Sequence, residues 1–152
     1  MKNHQTGFSL VEVLVVVIII AIVAAIAIPN LLASRRAANE ASAINSLRTI
    51  HSAQTTYQAA FGGNTSYAAL ADLSGNGILD STFTGASFVK SGYTIAVSIT
   101  ASSGGYCAGA DPLVGAGTRI FGNNQDGVIY QGVAATACDT GLFAVGAGVP
   151  IQ

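Results

Sequence analysis

Sixteen consecutive residues, Val13 to Ile28, carry no polar side chain, and this run constrains what the chain can become more than any other feature. With Phe8 to Val11 before it and Leu31 to Ala33 after it, the run grows to 26 residues interrupted only by Ser9, Glu12, Pro29 and Asn30. A bilayer span needs about 20 predominantly apolar residues in helix. The stretch is therefore long enough to cross a membrane, and Arg35-Arg36 closes it as a stop. Apolar residues make up 51% of the chain and charged ones 9%, with the apolar excess concentrated in these first 33 positions. Charge does not set the orientation, because Lys2 and the α-amine on one side are matched by Arg35 and Arg36 on the other.

Three readings of the segment compete. A secretory signal would use Lys2, the apolar run, and Ala25-Ile26-Ala27 as a cleavage site before Ile28, but its h-region needs only 7 to 15 residues and would not hold Glu12. A plain transmembrane anchor leaves the Glu12 carboxylate unexplained, since a central charge costs about 2.5–3.5 kcal/mol even on the lenient insertion scale. The third reading starts from Gly7-Phe8-Ser9-Leu10-Val11-Glu12, which resembles the processing motif of type IV prepilins. That resemblance implies a short hydrophilic leader, Met1 to Gly7, removed by a dedicated prepilin peptidase that also methylates the new N-terminal Phe8. It assigns Glu12, together with Phe8, a role in assembly, and it continues through Ala24 to Pro29, where the family's helix carries a proline. A lone Ser-x-x-Glu is also a capping box for any helix start. Leader, Gly-Phe, glutamate and apolar run together are the specific signal.

Downstream the helix is expected to continue, because no Gly or Pro occurs between Leu31 and Phe61. Ile44, Leu47, Ile50, Tyr57 and Phe61 recur at spacings near three and four, with Ala53 and Gln54 between them, and form one apolar stripe. Arg35, Arg36, Asn39, Glu40, Asn45 and Arg48 are read as the opposite, solvated face. Gly62-Gly63-Asn64 is the expected stop. Pro29 removes one backbone donor, so a kink or local loss of helix around residues 25 to 29 is expected.

The remainder is rich in Gly, Ala, Ser and Thr, has no Trp, and reads as a small β domain resting on the stripe. Ser66 is the expected cap of a short helix from Tyr67 to Leu73, followed by a glycine-rich loop. Tyr93 to Thr100 alternates apolar and small polar residues as a strand does. Thr118 to Phe121 and Val128 to Tyr130 bracket the turn-rich segment Gly122 to Gly127 as a hairpin, and Leu142 to Val145 is a candidate fourth strand. The expected fold class is α+β: a long N-terminal helix, its apolar half a transmembrane or filament-core segment and its amphipathic half packed on a small antiparallel sheet, which is also what the pilin resemblance implies. The expected organisation is leader 1–7, apolar helix 8–33, amphipathic helix 34–61 and β domain 62–152.

Cys107 and Cys138 are the only cysteines. A disulfide between them, set against two buried free thiols, closes a loop worth about 3.7 kcal/mol on the chain-entropy model, and it implies an oxidising compartment. In pilins such a bond commonly bounds a surface-displayed region, so the resemblance points to 107–138 as the filament's outer face.

Catalysis finds little support. His4 lies in the expected leader, His51 reads as a hydrogen-bonded helix histidine, and Asp72, Asp80, Asp111, Asp126 and Asp139 are dispersed without a nucleophile or paired carboxylate. The Asn123 to Gly127 tip lacks the spaced ligand set of a calcium loop, and no zinc pattern surrounds the cysteines. No metal, cofactor or enzyme activity is expected. Asn64-Thr65-Ser66 matches a glycosylation sequon, a short pattern common by chance. Six basic and seven acidic residues, scattered singly for a net charge of -1, give no patch for specific nucleic-acid binding.

The function implied by the resemblance is that of a structural subunit, a major pilin, anchored in the inner membrane and then polymerised into an extracellular helical filament for adhesion, twitching motility or DNA uptake. Its partners would be copies of itself, the prepilin peptidase/methyltransferase, and inner-membrane assembly machinery. A type II secretion pseudopilin shares the motif and is the alternative; a secreted binding protein starting at Ile28 is the third.

Overall fold

A computed structural model describes residues 7–63, 65–100, 105–132 and 148–151. The chain divides into two compact units, residues 1–35 and 36–152, and helix α1 (Leu10–Ala60) supplies residues to both. The elements that follow are α2 (Leu70–Gly75), β1 (Ser87–Lys90), β2 (Tyr93–Thr100), β3 (Gly105–Pro112), β4 (Phe121–Asn124), β5 (Ile129–Gln131) and β6 (Val149–Pro150). The fold is α+β and pilin-like.

In the first unit the helix begins when Ser9 offers its carbonyl to Glu12 N (3.1 Å) and Val13 N (3.3 Å). Glu12 sits in that first turn, where the exposed N–H groups favour a negative charge. From Val13 to Ile28 none of the large apolar side chains is buried; exposures run from 49% at Val15 to 65% at Ile26. α1 is long and apolar enough to cross a membrane. The helix continues unbroken through Pro29, so the expected local loss of helix at 25–29 does not occur. A proline costs a helix one donor, and the turns on either side hold.

In the second unit the six strands form one antiparallel sheet in the order β1-β2-β3-β4-β5-β6. Alternation on β2 turns Tyr93 and Ile95 to the helix, and the register carries the same face through Ala110, Ala108 and Phe121 to Ile129. Against this face α1 places Ala43, Leu47, Ile50 and Ala53, and Leu70 and Leu73 of α2 complete the core. The expected stripe is thus present at Leu47 and Ile50, half-buried at Ile44 and Tyr57, and exposed at Phe61.

The helix stops where expected. Phe61 N and Gly62 N both donate to Tyr57 O, and a Cβ at Gly62 would collide with Ser66 O, so only glycine allows that turn. The short second helix starts later than expected, at Leu70, and its N-cap is Ala69 without a side-chain cap bond rather than Ser66. Tyr67 and Ala68 are held outside the helix instead: Tyr67 packs on Tyr106 with ring centroids 5.0 Å apart, and Gln54 bonds both the N–H and the carbonyl of Ala68.

β2 spans the expected Tyr93 to Thr100. The hairpin is also present, but its first strand is Phe121–Asn124 rather than Thr118 to Phe121, and its second is shifted one residue to Ile129–Gln131. β1, β3 and β6 are strands that the sequence pattern did not disclose. β3 and β4 are buried along most of their length on both faces, so β3, Gly-Tyr-Cys-Ala-Gly-Ala-Asp-Pro, has no apolar and polar alternation to detect. Leu142 to Val145 lies outside the described residues.

Candidate functional site

Two places carry the functional argument, one in each unit. The first is the N-terminal motif. Gly7 is exposed, a Cβ added there would meet no atom within 4 Å, and its φ lies outside the left-handed region. Neither backbone nor packing demands glycine there. Phe8 is 82% exposed, and Glu12 is exposed too. Nothing among the described residues shields the segment, so cleavage at Gly7 and contact through Phe8 and Glu12 are sterically open. Met1 to Thr6, with Lys2 and His4, lie outside the described residues.

The second place is a polar collar at the start of the second unit. Glu40, expected on the solvated face, is instead 6% exposed. Its Oε1 accepts from Thr118 N and Thr118 Oγ1, both at 3.1 Å, and its Oε2 accepts from Arg119 Nε at 2.7 Å, with Arg119 Nη2 completing an ion pair. Burial pushes the Glu40 carboxyl up, but the hydrogen bonds from Arg119 and Thr118 outweigh it and hold the group below its ordinary range. The preceding residue, Asn39, donates to Ala116 O at 2.9 Å, and one turn before Glu40, Arg36 donates to Gly115 O at 3.4 Å. Ser42 meets Ser91 hydroxyl to hydroxyl at 2.9 Å; Ser91 (φ +50) and Gly92 (φ +74) are the two-residue turn between β1 and β2.

Tyr93 ties the same loop to the sheet by donating to Arg119 O at 2.9 Å. Burial, reinforced by the nearby Glu40 charge, pushes its hydroxyl up to about 12. A Cβ at Gly117 would collide with that hydroxyl, so the loop passes Tyr93 only as glycine. The segment 118–120, expected as strand, is therefore held as a loop by the helix.

Further along α1, His51 Nδ1 lies 2.7 Å from Tyr106 Oη, and the hairpin tip closes over its other ring nitrogen, 2.6 Å from where a Cβ of Gly127 (φ +73) would sit. His51 is the hydrogen-bonded helix histidine the sequence suggested. Burial raises the Tyr106 hydroxyl well above its ordinary value. Asn123 donates to Leu47 O at 3.0 Å, while its own Oδ1 is buried without a partner among the described residues. Asn124 and Asp126 bond each other across the tip at 3.2 and 3.1 Å. Among the described residues no three His, Cys, Asp or Glu side chains gather as a metal site. Cys107 is buried in β3; Cys138, its expected partner, lies outside the described residues, as does Asn64 of the sequon.

Reading the sequence missed the collar, although a signal was present. Glu40, Ala43, Leu47, Ile50 and Gln54 are spaced three and four apart, so Glu40 falls on the buried stripe with Gln54 rather than opposite it.

Residues 2–28 match the family model of the prokaryotic N-terminal methylation motif. The chain thus carries the signature of type IV prepilin-like proteins, a class whose members are processed by prepilin peptidase and whose fold is typically non-enzymatic. No curated protein shows a significant match to the chain.

Proposed function

We propose that the chain is a structural subunit, a major pilin, of a type IV pilus. The observation that carries this reading is the methylation motif, which runs from residue 2 to 28 into an apolar helix face without a partner among the described residues of its own chain. Prepilin peptidase cuts after Gly7. Because neither φ nor packing requires glycine at that position, the requirement belongs to the enzyme that grips it. The new α-amine of Phe8 lies four residues, about 6 Å of helix, from the Glu12 carboxylate. In a low-dielectric surrounding each charge is costly alone, so pairing Glu12 of one subunit with the Phe8 amine of the next fixes the axial offset between helices.

Residues 8–33 hold the precursor in the inner membrane and later form the filament core, with Pro29 as the site of helix bending. Residues 34–61 carry the β domain, 62–152, outward, and a Cys107-Cys138 disulfide braces its exposed region once the domain is in the periplasm and then outside the cell. The test is to shear surface material from cells and determine the N-terminus and abundance of this polypeptide. An abundant chain starting at methylated Phe8 is expected. A scarce chain with the same N-terminus, retained in the periplasm, would assign it to a type II secretion pseudopilus; a chain starting at Ile28 would end both readings.

A further inference from the structure

The second unit holds four Lys and Arg side chains, and three of them are engaged. Arg36 donates to Gly115 O, Lys90 lies 4.8 Å from the centre of the Phe83 ring, and Arg119 pairs with Glu40. Arg48 has no hydrogen bond, ion pair or ring contact among the described residues. It stands at one end of an open groove of about 380 Å³, within the size range of small-ligand clefts. One wall is α1 from Arg48 to Thr56, two turns or about 12 Å of helix. The other is the turn at Ile78 and Leu79 that follows α2. That wall is fixed: Ile78 N and Leu79 N donate to Leu73 O at 3.0 and 3.2 Å, and Gly77 (φ +72) supplies the left-handed residue past the end of α2. The site lies wholly in the second unit and is independent of how the first is used.

The polar groups of the groove have defined roles. Thr49 Oγ1 donates to Asn45 O at 2.9 Å and Thr56 Oγ1 donates to Ser52 O at 2.8 Å, so both hydroxyl protons are committed to the helix. Toward the groove the two threonines can only accept. Ser52, between them, keeps its hydroxyl proton, since that hydroxyl makes no bond among the described residues. Arg48 brings five N–H donors and no acceptor. Asp80, next to Leu79, gives its Oδ1 to Thr82 N at 2.8 Å. Ala53 and Leu79 are buried and, with half-buried Ile78, form an apolar floor. A ligand that answers all of these carries a negative charge for the guanidinium, hydroxyl donors for the threonines and an apolar ring face for the floor. The hydroxyls step along the helix by about 4.5 and 6 Å, closer than the roughly 7 Å between successive amides on one edge of an extended peptide. We propose that this groove binds an acidic sugar, its carboxylate or phosphate on Arg48, its hydroxyls on Thr49, Ser52 and Thr56, and its ring face on Ala53, Ile78 and Leu79.

Binding would be read by saturation-transfer difference NMR on the full chain in a polyoxyethylene detergent, which contributes no sugar of its own. The probes are glucuronate, glucose 6-phosphate, glucose, acetate, inorganic phosphate and a short glutamate peptide. We expect an acidic sugar to bind about tenfold more tightly than glucose or either bare anion; a preference between glucuronate and glucose 6-phosphate identifies the charged group. Arg48→Gln should weaken that binding about tenfold and bring it level with glucose. Thr49→Val and Thr56→Val should each weaken it about threefold. Lys90→Gln removes the same charge elsewhere in the unit and should leave it unchanged. Arg48, Thr49 and Thr56 are exposed, so their replacement leaves the core intact, which unchanged thermal unfolding would verify. Bare anions binding as tightly as the acidic sugars would reduce the groove to an anion site and overturn the proposal. Tighter binding of the peptide, equal losses in Arg48→Gln and Lys90→Gln, threonine variants that bind like the parent, or no transfer to any sugar would overturn it as well.

Discussion

Leu14 and Leu47 lie on one helix and meet opposite fates. Leu14 is half open among neighbours that are all as exposed, whereas Leu47 is sealed in the core that Tyr93, Ile95 and Phe121 of the sheet help to form. Full burial of such a side chain contributes about 1.5–3 kcal/mol. In the second unit that gain is already realised. In the first it is withheld, for seventeen large apolar side chains among the described residues, until a bilayer or other helices supply the apolar surroundings. One part of the molecule is therefore a finished fold and the other is an unspent driving force for insertion and association.

The two units part most completely when the motif is altered. Gly7→Leu should leave uncleaved precursor in the membrane and abolish fibres, with the second unit's stability unchanged, read by mass spectrometry of the N-terminus and by thermal unfolding. Glu12→Val should insert and be cleaved yet yield few or no fibres; assembly at normal yield would defeat its intersubunit role. Leu47→Ala acts on the other side, costing about 2–5 kcal/mol of unfolding free energy without altering cleavage.

Glu40→Gln probes the collar. Removing the charge-assisted bonds should cost about 1–2 kcal/mol at neutral pH, the low end of that class because Arg119 is 47% exposed. The Glu40 carboxyl is held below its ordinary value of 4.5, so its contribution is fully present above that pH and is lost as pH falls through the folded-state value. The variant's stability should accordingly fall less steeply on acidification than the parent's. Smallest is Tyr93→Phe, about 0.5–1.5 kcal/mol for one hydrogen bond. With the hydroxyl raised from 10 to about 12, its contribution is complete below pH 10 and fades as pH rises toward 12, so the substitution should soften alkaline unfolding.

The first unit was legible in the sequence because hydrophobicity without period and a short motif need no tertiary context. In the second, β2 and the Gly62-Gly63 stop were equally clear, one from strict alternation and the other from glycine. β3 was not, since burial of both faces erases the alternation that marks a strand. β1 was too short and exposed, and β6 has two residues. Glu40 was misjudged because polarity suggested solvent, while spacing placed it on the same buried stripe as Gln54. Their partners, Thr118, Arg119 and Ala68, are loop residues that local pattern cannot bring to a helix.

Every strand in the sheet pairs with its neighbour in the chain. Such a topology has low contact order within the sheet, and its hairpins can close one after another along the chain. The bonds from Glu40 to Thr118 and Arg119, which span 78 and 79 residues, cannot form until that succession reaches β4. The collar is then a late closure in folding, and loosening it should hasten unfolding more than it slows refolding.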